Sequence, residues 1–225
     1  MGKLRSREKK GNPSLSRKRM LAEAAILFWK KGYEGTTMRD IAEAYGCKPA
    51  NIYNFFRNKE SLLFEILFSQ MRAVVSSIEH LKDDESASPV EQLRELIIHH
   101  ATLTLRYTRS SKLLFDVGLD SLSPSKRIKI VELRDSYDRI LRKIIRRGIK
   151  TGDFVDLDEK LAGYCIASMV VRSIIWYSPG GRLSMEEIIN SLVQLILNGL
   201  KRRGRGQKSD RGLTQAAGKT LPKVR

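Results

Sequence analysis

The sequence predicts an all-α protein of about nine helices, and three observations carry that prediction. Helix-start signals recur along the chain. Ser88-Pro89-Val90-Glu91 places a capping hydroxyl before a proline at the first helical position with a carboxylate three residues on, and Ser184-Met185-Glu186-Glu187 repeats the capping box. Apolar residues recur at helical spacing, as in the stripe Ile188, Ile189, Leu192, Val193, Ile196 and Leu200. No segment reads as a run of alternating strands.

Helices are expected at 14–31, 37–44, 48–55, 59–80, 89–107, 110–119, 124–148, 157–177 and 185–202. Asn58-Lys59-Glu60 and Ser123-Pro124 supply further starts. The second and third helices are short and joined by Glu43-Ala44-Tyr45-Gly46-Cys47, the pattern of a helix-turn-helix whose second helix enters the DNA major groove. From about residue 67 the helices lengthen, as in a bundle. The chain thus divides into a basic, flexible arm (1–19), a three-helix helix-turn-helix domain (20–66), a bundle of longer helices (67–202) and a basic, disordered tail (203–225). The domain boundary falls inside the helix that starts near Asn58, which couples the two parts rigidly.

Charge is concentrated at the ends. The 225 residues carry 42 Lys and Arg against 25 Asp and Glu, net +17. Residues 1–19 hold eight basic and one acidic residue, and residues 201–225 nine basic and one acidic. The stretch 20–66 is balanced at six of each. Such termini favour an anionic partner and raise nonspecific affinity for phosphates. Operator choice then rests on a few positioned side chains.

From Thr36 to Leu63 each residue has a mechanical reading. Thr37 caps a helix, Asp40 favours the positive end of its dipole, and Gly46 supplies the left-handed turn that ends it. Ile41 and Ala42 face inward, as do Ile52 and Phe56, four apart. Lys48, Ala50, Asn51 and Asn54 then occupy the presentable face. An amide can bond an adenine edge bidentately, which makes Asn51 and Asn54 the base-reading candidates.

The segment MLAEAAILFWKKGYEGTTMRDIAEAYGCKPANIYNFFRNKESLL resembles the N-terminal domain of TetR-type transcriptional regulators. The likeness rests on Phe28, Gly32-Tyr33, Thr36-Thr37, Ile41-Ala42, Gly46, Ile52-Tyr53, Phe56, Lys59-Glu60 and Leu62-Leu63. It implies phosphate contacts from Tyr53, Lys59, Thr36, Thr37 and Arg39, and groove contacts from Lys48 to Asn54. One departure is Lys48, which stands where the family places a small hydroxyl cap. Two structural alternatives stand beside these roles: Tyr53 packed on the three-helix core, and Lys59 as a solvated charge.

The resemblance further implies a dimer on a pseudo-palindromic double-stranded DNA operator, with the last two helices of each subunit forming a four-helix interface. Arg172 and Trp176, one turn apart, suit an anionic ligand with a planar or apolar portion. Their alternative is an interface pair in which Arg172 meets Asp116 or Asp120. Tyr107, Phe115 and Tyr164 are the other lining candidates. The stretch WYSPGG resembles TetR-type regulators of fatty-acid, sterol or aromatic catabolism, whose effectors are acyl-CoA thioesters. The expected function is a homodimeric repressor released by a small effector, with induction by hydrophobic drugs as the other reading.

Other classes find little support. Cys47 and Cys165 form no metal-binding or disulfide framework, so a metal centre or cofactor is not expected and a reducing cytoplasmic compartment is. The apolar run Leu161 to Trp176 contains Arg172 and falls short of the roughly 20 residues of a membrane span. No GxSxG, phosphate loop or metal cluster points to an enzyme, and His99-His100 with Asp116 lack a nucleophile.

Overall fold

The computed structural model describes residues 13–106 and 119–201. Among them are eight α-helices: α1 (Pro13–Lys31), α2 (Met38–Tyr45), α3 (Pro49–Tyr53), α4 (Lys59–Ile78), α5 (Pro89–Arg106), α6 (Pro124–Thr151), α7 (Glu159–Trp176) and α8 (Met185–Leu200), with a short 3₁₀ turn, Glu79–Lys82, after α4. Extended pairing among the described residues is confined to one isolated bridge, Phe154 with Lys201. The helix expected at 110–119 falls almost wholly outside the described residues, as do Tyr107, Phe115 and Asp116.

Local chemistry explains the helix boundaries. The boxes at Ser88 and Ser184 form in full: each hydroxyl accepts from the amide three residues on, and Glu91 and Glu187 accept in return. Asn58 and Asp158 cap α4 and α7 by accepting from the Ser61 and Leu161 amides. Helix α1 starts at Pro13, so the arm drawn as 1–19 is helical over its last residues. Arg17 there is committed to the fold. Its guanidinium pairs with Glu65, donates to the Phe55 carbonyl at 2.8 Å and lies 4.3 Å from the Phe56 ring centroid.

Two apolar clusters form. Met20, Phe28, Ile41, Ile52, Phe56, Leu63 and Leu67 make the smaller, which Leu119, Leu122 and Ile130 also join. The larger gathers the second half of α4 with α5, α6, α7 and α8. Helix α4 runs through both. By length and composition α4 and the 3₁₀ turn together could cross a bilayer, yet Leu62, Leu63, Ile66, Leu67, Val74 and Ile78 are buried against other helices.

The apolar stripe of α8 is spent inside the subunit. Ile188, Ile189, Leu192, Val193, Ile196 and Leu200 are all buried in the larger core, to which α5 also contributes Leu93, Leu96 and Ile97. The stripe is therefore filled by the subunit's own core. The uncovered face lies mainly on α7, where Leu161, Tyr164, Met169, Ile175 and Trp176 are exposed at helical spacing, and Leu195 of α8 is exposed as well.

Candidate DNA-reading face and effector cavity

The DNA-reading candidate is built from α2, its turn and α3. Thr37 accepts from the Asp40 amide at 3.1 Å, and the Asp40 carboxylate accepts from the Thr37 amide at 2.7 Å. Hydrogen bonds from Lys31 and Thr37 hold the Asp40 carboxyl far below the usual carboxylate range. Gly46 ends α2 with φ 82°, and the Cys47 amide reaches back to the Ala42 carbonyl at 2.9 Å. A side chain at Gly46 would strain this left-handed turn. Helix α3 begins at Pro49, and Lys48 in the cap position makes no side-chain capping bond. It is one short turn, Pro49–Tyr53, rather than the 48–55 expected.

Ile52 and Phe56 point into the core, which leaves Lys48, Ala50, Asn51, Tyr53 and Asn54 exposed on the opposite side. Thr37 and Arg39 are exposed as well. Tyr53 keeps 55% of its surface, so it is not a core residue. Phe56 is buried, while Phe55 is only partly so.

Two candidates take other positions. Thr36 is 1% exposed, and its hydroxyl donates to the Gly32 carbonyl at 2.8 Å, closing the α1–α2 turn. Its side chain is therefore not on the DNA-facing surface. The Lys59 ammonium donates to the Tyr33 carbonyl at 2.7 Å and lies 4.2 Å from the Tyr33 ring centroid. It ties the start of α4 to the α1–α2 turn and is not a freely solvated charge.

The second feature is a cavity of about 520 Å³ in the helical bundle. Its lining comes from α4 (Met71, Val74), α5 (His100, Thr104), α6 (Arg134, Asp135, Tyr137, Asp138) and α7 (Gly163, Tyr164, Ala167, Val171), among others. Of the sequence candidates among the described residues, only Tyr164 is found there. Arg172 and Trp176 lie on the exposed stripe of α7 and do not line it. The reason is helical phase: Ala167 and Val171 face the bundle, and Arg172 and Trp176 point about a quarter-turn or more away. Asp120, one proposed partner of Arg172, pairs instead with Arg127 at 2.9 Å.

The polar residues of the cavity were missed in the sequence, although a signal existed. Tyr137 continues the core stripe of α6 seven residues from Ile130, and His100 follows Leu93, Leu96 and Ile97 on α5. A polar tip on a core stripe marks a buried polar site. His100 Nδ1 and the Tyr137 hydroxyl lie 2.8 Å apart. Burial pulls the imidazole down to about 4 and pushes the phenol well up. Desolvation also lowers the Arg134 guanidinium.

The two features are mechanically joined. At the start of α6 the Ser123 amide donates to Glu60 at 2.8 Å, and Lys126 pairs with Glu60 at 3.1 Å. Helices α4 and α6 therefore both reach from the cavity wall to the first turn of α4, beside α3.

Comparisons with known proteins agree with this architecture. Residues 20–66 match the model for bacterial regulatory proteins of the tetR family, and residues 86–200 match that for the tetracyclin repressor-like C-terminal domain. The HTH-type transcriptional repressor KstR2 of Mycolicibacterium smegmatis is 27% identical over 190 residues, covering 84% of this chain and 92% of the relative. Among solved structures, the TetR family transcriptional regulator PfmR from Thermus thermophilus is 38% identical with a TM-score of 0.73, covering 82% of this chain and all of that one. AibR, solved with isovaleryl coenzyme A and operator DNA, is 27% identical with a TM-score of 0.71, covering 80% of this chain and 97% of its own. A helix-turn-helix at the N-terminus, a helical cavity behind it and family matches over both parts lead to one conclusion: the chain is a DNA-binding transcriptional regulator and belongs to the TetR family.

Proposed function

We propose that this protein is a cytoplasmic homodimeric repressor released from its operator by a small effector held in the bundle cavity. The observation that carries this reading is the double duty of α4 and α6, which wall the cavity and also meet at the first turn of α4, next to the DNA-reading helix. A ligand that fits only one spacing of these helices shifts the dimer by its differential affinity for that spacing.

On the DNA side, Asn51 and Asn54 read bases, while Thr37, Arg39, Lys48 and Tyr53 hold phosphates and Ala50 lets the helix approach closely. On the effector side, an acyl-CoA thioester is the leading candidate, supported by the isovaleryl coenzyme A bound in AibR and by a lining here that pairs an apolar wall with Arg134. The acyl group would occupy the apolar wall of Met71, Val74, Ala167 and Val171, with Arg134 available to the phosphates. A lipophilic cation is the second reading, favoured by Asp135 in the lining.

The test begins with an operator selected from random DNA, bound to the full chain and followed by fluorescence anisotropy. Isovaleryl-CoA and longer acyl-CoA thioesters should release the DNA where free coenzyme A does not. Release by tetraphenylphosphonium alone would favour the cation reading, and indifference to both would overturn effector control by either class.

A further inference from the structure

Within the cavity, one pair of side chains has a chemistry that the apolar wall does not explain. His100 from α5 and Tyr137 from α6 are 7% and 6% exposed, share a 2.8 Å hydrogen bond and both line the cavity. Their rings sit edge to face, with centroids 4.9 Å apart. The charged lining residues have other surroundings: Arg134 and Asp135 keep much of their surface in solvent, although burial lowers the Arg134 guanidinium, and Asp138 lies 3.5 Å from the Arg142 guanidinium. The buried groups His100, Tyr137 and Thr104 are thus polar but uncharged, and the neighbouring Asp138 carboxylate is balanced by Arg142.

Each group keeps its own proton, and the choice of imidazole tautomer gives this pair two settings. When the phenol donates to Nδ1, its oxygen keeps lone pairs that can accept from a ligand hydroxyl. When the imidazole carries the proton on Nδ1 and donates to the phenol oxygen, the phenolic hydrogen is released to donate to a ligand carbonyl. Only the tautomer changes, and no net charge appears. Burial keeps both groups neutral through the physiological pH range, which disfavours a charged ligand group at this depth. The Thr104 hydroxyl, one turn along α5 and 3% exposed, extends the same uncharged surface.

We propose that the His100–Tyr137 pair recognises an uncharged oxygen, a ketone or a hydroxyl, carried on the apolar body of the effector. The inference rests on reading the cavity as the effector site, and it narrows the ligand class to oxygen-bearing apolar molecules over plain hydrocarbon chains.

Cyclooctane, cyclooctanone and cyclooctanol test it, because a small ring removes any uncertainty of chain position. Each is titrated calorimetrically into the full-length protein, and the carbonyl stretch of bound cyclooctanone is recorded by infrared difference spectroscopy. The stretch should lie below its value in hexane and return towards it in Tyr137→Phe. That variant should weaken the ketone and the alcohol by about threefold to tenfold, the value of one net hydrogen bond, and leave cyclooctane unchanged. Should the single variant be unstable, H100L/Y137F removes both partners together, orphans neither, and carries the same expectation. A bound ketone with the hexane frequency, or equal weakening of all three rings, overturns the proposal while leaving the cavity reading intact. Failure of every ring to bind overturns both.

Discussion

Thr36 and Lys59 show how a residue's role depends on where its hydrogen bonds go. Both sit in positions that the family resemblance associates with phosphate contact, yet Thr36 closes the turn after α1 and Lys59 fastens α4 to that turn. Both bonds set the turn against which the reading face is built. His100 makes a separate prediction. Its folded pKa is about 4 against 6.5 for the free side chain, because burial penalises the charged form. Between those values the unfolded chain binds the extra proton, so stability is full above pH 6.5 and falls as pH drops towards 4. The expected loss across that window is roughly 3 kcal/mol. Urea unfolding at a series of pH values should show this slope, and His100→Gln should flatten it; an unchanged slope would assign the acid sensitivity elsewhere.

Among the elements, α3 depends most on its neighbours. One turn of helix without a side-chain cap cannot persist alone, since nucleation is unfavourable and a missing cap costs about 1 kcal/mol. Burial of Ile52 and Phe56 against α1, α2 and α4 holds it in place. The junction of α6 with the loop before α7 shows the reverse, a helix shaped by close packing. At Gly148 an added Cβ would lie 2.2 Å from the Phe154 ring, which is itself 1% exposed. Phe154 also donates its amide to the Gly148 carbonyl at 3.0 Å, so the ring has little room to retreat. Gly148→Ala should therefore destabilise the protein by about 1–3 kcal/mol, although alanine is the better helix former. A midpoint of thermal unfolding at or above that of the wild type would show that the ring can move aside.

At the scale of the whole molecule, the exposed stripe of α7 adjoins the cavity. Tyr164 belongs both to this stripe and to the cavity lining. A partner subunit docked there would cover the mouth of the cavity and sense its occupancy. The stripe is apolar enough to drive association, with Leu161, Ile175 and Trp176 each more than half exposed. Replacing Ile175 and Trp176 by Asp should convert the protein to monomer in sedimentation velocity and weaken operator binding, since one subunit presents one reading helix. A dimer that survives both changes would place the interface on another face.

The sequence by itself determined the all-α class, the capped helix starts, the left-handed turn at Gly46 and the inward positions of Ile52 and Phe56. Each follows from spacing or backbone chemistry within a few residues. It also contained the face that presents Asn51, Tyr53 and Asn54, because one turn of helix leaves few alternatives once its core side is known. Tertiary structure decided which apolar stripe is consumed inside the subunit and which remains outside, a choice that depends on the facing helix. It also decided the cavity lining: Arg172 and Trp176 looked suited to a ligand by chemistry, but the phase of α7 turns them outward. His100 and Tyr137 meet only when α5 packs on α6, 37 residues apart in the chain. Local rules set the periods of the helices, and packing alone sets which residues from different helices share a wall.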